Sequence, residues 1–167
     1  ESVVKAPGME AGGIHAYDGH NHEPDLKKRT KQCDSDFAPV LAFRDELESA
    51  GLTVPELVAG GTPTFPIHAN HPERTCSPGT TTLWDFGYED GLPDMDFECA
   101  AVLLTRVISC LDEKRVCFDL GHKAVGADKP NPRVRILGYE SAETEVHSEE
   151  HLTMRLDKPG DLDLGDT

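Results

Sequence analysis

Glu56-Leu57-Val58-Ala59-Gly60-Gly61-Thr62-Pro63-Thr64 is the stretch on which the fold turns. Its opening residues form a short apolar run of the length of a buried strand. The two glycines that follow permit positive φ and let backbone amides come close to a ligand. Thr62 suits an N-cap, and Pro63 suits the first position of a helix. A helix starting there turns free N–H groups and its positive dipole end toward whatever lies above the strand. That makes an anion site without lysine or arginine. Pro66 limits how regular the helix is. A plain strand-to-helix turn has the same local sequence, so these residues leave both readings open.

Working outward, residues 34–50 read as a helix, with Phe37, Val40, Leu41 and Leu47 near one face. Asp34 or Ser35 can cap its start, and Gly51 follows its end. Residues 12–18 alternate and close on a polar cluster, as a strand opening into a loop does. Strand, helix, strand is one unit of a parallel α/β layout. Its ligand crevice lies where the strands end. There stands His15-Ala16-Tyr17-Asp18-Gly19-His20-Asn21-His22. Tyr17 can pack on a flat cofactor or hydrogen-bond its phosphate. His15 and His20 can exchange protons near neutral pH. His15, Asp18, His20 and His22 also offer metal ligands, so a metal-dependent hydrolase is a second reading. Their spacing matches no standard zinc signature, and solvated loop histidines are a third reading.

The texture changes after residue 76. Pro78-Gly79 marks a turn, residues 85–96 are irregular, and strands are predicted at 80–85, 99–110, 115–120, 133–139 and 152–156. Residues 99–110 also fit helical periodicity; their β-branched second half favours a strand. The chain is therefore expected to divide into an α/β part, 1–76, and a mostly-β part, 77–167. Lys123, in Asp119-Leu120-Gly121-His122-Lys123, reads as a surface lysine rather than a covalent anchor. Ser148-Glu149-Glu150-His151 reads as a solvated turn.

Composition sets the outer bounds. A net charge of −15 repels nucleic-acid backbones and anionic lipid, so neither partner is expected. It leaves room for a small phosphate ligand held by backbone amides. Cys33, Cys76, Cys99, Cys110 and Cys117 contain no C-x-x-C pair, which suits reduced thiols and a cytoplasmic setting. No apolar run has the length of a membrane span. The first residue is Glu1, and the last residues alternate like a strand about to continue; an interior piece of a longer chain is expected.

Taken in order, Tyr17-Asp18-Gly19-His20, Gly60-Gly61-Thr62-Pro63-Thr64, Pro78-Gly79-Thr80 with Trp84-Asp85 and Tyr88, Phe118-Asp119-Leu120-Gly121-His122-Lys123-Ala124 and Ser148-Glu149-Glu150-His151 resemble one family. The sequence is similar to the D-threonine aldolase / D-serine dehydratase group, pyridoxal-phosphate (PLP) enzymes of the alanine racemase fold type. The resemblance implies α/β plus β architecture. Residues 1–76 would be the late part of a PLP-binding (β/α) barrel, and 77–167 an incomplete D-serine dehydratase-like β domain. It implies that Gly60, Gly61, Thr62 and Thr64 meet the cofactor phosphate and that Tyr17 lines the pocket. His15, Asp18 and His20 are the candidates for a catalytic role. It further implies lyase chemistry on D-amino or 3-hydroxy amino acids, and a homodimer.

Two family features have no counterpart here. The lysine that binds PLP covalently sits in a Pro-His-x-Lys context, which is absent from this sequence. The catalytic metal, typically zinc, is held by a His-x-Cys or His-x-Asp pair beyond a Gly-Asp turn. Gly160-Asp161 and Gly165-Asp166 are present, but no such pair follows. The chain alone is expected to bind PLP poorly and to turn over nothing. A non-catalytic remnant or interaction module is a further alternative.

Overall fold

A computed structural model of the chain describes residues 2–157 and 162–167; Gly160-Asp161 lies outside them. Two compact units are present, Glu1–Ala101 and Val102–Thr167.

In the first unit, after a short helix α1 (Ser2–Lys5), strands β1 (Ile14–Ala16), β2 (Leu57–Ala59) and β3 (Thr75–Cys76) form a parallel sheet in the order β1-β2-β3. Ala16 pairs with Ala59 and Ala59 with Cys76, so the three strands end side by side. Helix α2 (Leu26–Ser49) crosses between β1 and β2. It is longer than predicted from 34–50. Asp25 caps it, accepting from the Lys28 amide at 2.9 Å. The first two turns are almost wholly polar and so gave no apolar stripe. What they bury is Arg29, 0% exposed, whose charge is met by Asp94 at 2.5 Å and by the Glu23 carbonyl at 2.8 Å. Further along, Phe37, Val40 and Leu41 pack on Ile14, Ala16, Leu57 and Ala59 as their spacing predicts.

The residues from 80 onward depart from expectation. Instead of a strand at 80–85, a 3-10 turn covers Thr80–Thr82 and a helix, α4, covers Phe86–Gly91. Asp85 caps α4 through the Tyr88 amide at 3.0 Å, and Trp84 takes a φ of 55° to enter it. Trp84, Leu92 and Met95 then form a core with Phe65, Tyr88 and Phe97. That packing joins 77–101 to the first unit, so the compact division falls at Ala101/Val102 and not at residue 76.

The second unit is an antiparallel sheet in the order β4-β5-β7-β6: β4 (Val107–Cys110), β5 (Arg115–Phe118), β6 (Glu143–His147) and β7 (Leu152–Arg155). Its core is Val107, Val116, Phe118, Leu120, Leu152, Met154 and Leu156. The predicted strand 99–110 contracts to its β-branched end; Val102, Leu103 and Leu104 are exposed. Residues 133–139 supply only the bridge Ile136–Tyr139. The fourth strand is β6, polar apart from Val146. Among the described residues, no helix is long and apolar enough to cross a membrane.

Candidate functional site

The ends of β1 and β2 bring two loops together. Gly60 donates its amide to the Ala16 carbonyl at 2.9 Å and takes a φ of +98°. Only glycine adopts that conformation cheaply, and a Cβ there would lie 2.9 Å from His68 Cδ2. A Cβ on Gly61 would stand 2.8 Å from Gly19 Cα and 3.1 Å from Tyr17 Cε2. The Tyr17 loop and the 60–64 loop are therefore in contact. Tyr17 remains 75% exposed, its hydroxyl folded over Gly19.

The helix after the loop is a single short turn, α3 (Phe65–His68). Thr64, not Thr62, is its N-cap residue, because Pro66 fits the second helical position and moves the start along. Thr62 instead accepts the Thr80 amide at 3.1 Å.

Beneath the loop lies a buried polar network that no local motif announces. Asp18 Oδ1 accepts from the Gly61 amide at 3.1 Å and from the Thr64 hydroxyl at 2.5 Å. Asp18 Oδ2 accepts from His68 Nε2 at 2.8 Å, and the Cys33 thiol lies 3.6 Å away. Arg74 Nη1 donates to His68 Nδ1 at 3.0 Å. The Arg74 guanidinium sits over the Phe37 ring, 4.4 Å from its centroid, and Phe37 packs on His68 at 4.8 Å. Asp18, Cys33, Thr64 and His68 are all buried.

The electrostatics follow from this wiring. Burial pushes the Asp18 carboxyl up, but the hydrogen bonds from His68 and Thr64 outweigh it and hold the group below its usual 3.8. Burial, with the Asp18 charge beside it, pushes the Cys33 thiol up to about 12, so it stays protonated and is no nucleophile.

Asp18, Cys33 and His68 bring one ligand atom each to within 4.8 Å of one another. The hydrogen-bond pattern opposes a metal there. Arginine has donors only, so His68 Nδ1 accepts and Nε2 carries the proton that it shares with Asp18; the tautomer is assigned from this geometry. A metal on Nε2 would force an Nδ1–H against the guanidinium.

The other loop histidines do not join. His15 Nε2 lies 3.1 Å from Ser77 Oγ, His20 meets Asp36 at 3.3 Å on the surface, and His22 stands beside Tyr88. The four-residue metal cluster read from 15–22 is thus corrected: its members face different ways from their loop. Lys123 is a surface residue, paired with Glu149 at 2.7 Å and Glu150 at 3.0 Å.

The amides of the loop divide into two kinds. Gly60 is spent in the β1–β2 ladder and Gly61 on Asp18. The amides of Thr62 and Thr64 have no partner among the described residues, although the two residues are 4% and 0% exposed. Buried N–H groups without an acceptor are rare in proteins. An anion above the strand ends is the kind of acceptor that fits them.

Comparison with known proteins finds similar sequences and folds. Residues 100–167 match the family model described as "Putative serine dehydratase domain". A 3-hydroxy-D-aspartate aldolase of Paracoccus denitrificans (strain Pd 1222) is 29% identical over 178 residues, covering 99% of this chain and 44% of that protein. The fold is shared with the D-threonine aldolase of Filomicrobium marinum, at TM-score 0.86 and 24% identity, over 99% of this chain and 45% of that one. It is shared also with an alanine racemase-like protein of Idiomarina loihiensis, at TM-score 0.68 and 22% identity, over 93% and 46% of the two chains. The chain spans less than half the length of these relatives.

Proposed function

We propose that this chain, D-threonine aldolase / D-serine dehydratase-like in fold and in sequence, is the part of a PLP-dependent lyase that carries the phosphate end of the cofactor pocket. The first unit is read as the late part of a (β/α) barrel and the second as the D-serine dehydratase-like β domain. The single observation that carries the reading is that the amides of Thr62 and Thr64, both buried residues, have no partner among the described residues, on a loop that Tyr17 approaches at Gly61.

The Thr62 amide would meet the phosphate at the mouth of three parallel strands, and the Thr64 amide, in a residue at 0% exposure, would reach it once the turn covering it opens. Tyr17 would line the cofactor pocket with its exposed ring. PLP, when bound, supplies an electron sink for bond breaking at the α-carbon of an amino acid. The substrate class proposed for the whole enzyme is D-amino or 3-hydroxy amino acids, cleaved at carbon–carbon or carbon–oxygen bonds. A homodimer in the cytoplasm, with a divalent metal acting on the substrate hydroxyl, completes the proposal. Within these 167 residues there is neither the Pro-His-x-Lys lysine nor a His-x-Cys or His-x-Asp pair. This chain alone is therefore read as a non-covalent binder without turnover.

The test is equilibrium dialysis of the chain against PLP and against pyridoxal, which lacks the phosphate. Saturable uptake of PLP with a clear preference over pyridoxal supports the reading. Equal uptake of both, or uptake of neither, contradicts it.

A further inference from the structure

We infer that Asp18 is the positioning residue of the 60–64 loop: it holds the Gly61 amide and the Thr64 hydroxyl as structural donors, leaving the ligand phosphate to the Thr62 and Thr64 amides. The inference rests on the phosphate reading and sharpens it, because it separates loop groups that touch ligand from loop groups that shape the loop.

Acceptor capacity decides the role of Asp18. An ionised carboxylate has about four lone-pair positions. On Asp18 the Gly61 amide and Thr64 hydroxyl fill the Oδ1 side, and His68 with the Cys33 thiol fill the Oδ2 side. Nothing is left to receive a substrate proton, so Asp18 does not act as a base. The polarity of the network is set from its far end. Arg74 can only donate, His68 must therefore accept at Nδ1 and donate at Nε2, and Asp18 is left to accept from the loop. The same Arg74 answers a second problem. A carboxylate one hydrogen bond from the loop repels an incoming phosphate; a guanidinium one imidazole further back offsets that charge. Thr64 thus serves twice, its hydroxyl turned inward to Asp18 and its amide left without a partner.

The experiment has a ligand-free arm and a ligand arm, both on the 167-residue chain. By NMR amide exchange without ligand, the Gly61 amide is expected to be protected in the unaltered chain and in Thr64→Ser. It is expected to exchange roughly ten-fold faster or more in Asp18→Asn, whose NH2 faces a donor whichever way the amide turns. In PLP titrations, Asp18→Asn and Thr64→Val each weaken binding roughly ten-fold, and Thr64→Ser restores what Thr64→Val loses. Pyridoxal binding changes in neither variant. The double variant Asp18→Asn/Thr64→Val is no weaker than Asp18→Asn alone, as expected of two groups acting as one unit. Rapid Gly61 exchange in the unaltered chain overturns the inference. So does unchanged PLP binding in Asp18→Asn, or a double variant whose losses multiply, since Thr64 would then reach the phosphate through its hydroxyl. Should Asp18→Asn not fold, Thr64→Val against Thr64→Ser decides the matter with the ligand-free exchange beside it: weaker PLP binding in Thr64→Val together with faster Gly61 exchange before any ligand is added supports the inference, whereas equal PLP binding in the two, or weaker binding with Gly61 exchange unchanged, overturns it. An unaltered chain that does not distinguish PLP from pyridoxal overturns the phosphate reading itself, and that titration tells the two failures apart.

Discussion

Arg74 Nη1 donates to His68 Nδ1 across 3.0 Å, and from that contact the protonation of the buried network beneath the 60–64 loop follows. The guanidinium commits the imidazole to one tautomer, the imidazole commits its other nitrogen to Asp18, and Asp18 commits the loop. Side chains from distant parts of the sequence thus fix one turn of backbone.

Asp18 makes stability depend on acid. Its folded pKa lies below the ordinary 3.8, so its contribution is complete above that value and is lost as pH falls through the lower, folded value. Urea unfolding of the unaltered chain and Asp18→Asn, compared across pH, checks this. A deficit of about 2–3 kcal/mol is expected in the variant near neutral pH, the scale of hydrogen bonds to a charged group. That deficit should shrink once the pH drops below about 4. A deficit independent of pH would contradict the ionised network.

The glycines of the loop should not tolerate a methyl group. Gly60→Ala carries both a φ of +98° and a Cβ 2.9 Å from His68 Cδ2. A loss of more than about 1 kcal/mol is expected in urea unfolding. Gly61→Ala places its Cβ 2.8 Å from Gly19 Cα, a backbone atom that cannot step aside. That variant is expected to part the Tyr17 loop from the 60–64 loop, visible as chemical-shift changes at Gly19 and Tyr17.

Cys33 should be the slowest thiol to react. Its pKa is raised to about 12 and the residue is 0% exposed, whereas Cys99 and Cys110 are exposed. Alkylation at mildly alkaline pH, read by peptide mass spectrometry, should label Cys99 and Cys110 first and Cys33 only on unfolding. Early labelling of Cys33 would show that the network opens readily.

Arg29 is the charge that α2 buries. Removing its partner by Asp94→Ala leaves a guanidinium at 0% exposure with only carbonyls to face. A loss of roughly 3 kcal/mol is expected in urea unfolding. A near-neutral result would mean the charge is met elsewhere.

How much of this was legible in the sequence depended on where hydrophobic periodicity and burial agreed. Phe37, Val40 and Leu41 announced the sheet-facing side of α2, and Leu57 and Ala59 the buried strand. The first turns of α2 stayed hidden because their buried residue is Arg29, which no apolar pattern marks. Thr80-Thr81-Thr82 has strand composition, yet Asp85 capping and the Thr80 amide on Thr62 hold it in a turn. Strand β6 was missed because Glu143, Glu145 and Val146 face solvent, leaving no apolar alternation to read.

The site divides in the same way. The meeting of the Tyr17 loop and the 60–64 loop was expected, since both were read as following parallel strands and the family resemblance put Tyr17 in the same pocket; the close approach at Gly19 and Gly61 was not. Asp18 was visible only as a loop carboxylate, and the residues that define it, Cys33, His68 and Arg74, carry no shared motif. They are scattered along the chain, so only folding brings them together. A buried histidine at the end of a short helix was the one faint signal, and the sequence alone does not say it is buried.

The most direct test of the central claim is an NMR titration of the chain with PLP, following assigned backbone amides. The Thr62 and Thr64 amides are expected to shift saturably, with Tyr17 responding, while the Gly60 and Gly61 amides stay in their present bonds. Shifts confined to residues away from 60–64, or the same pattern produced by pyridoxal without its phosphate, would contradict it.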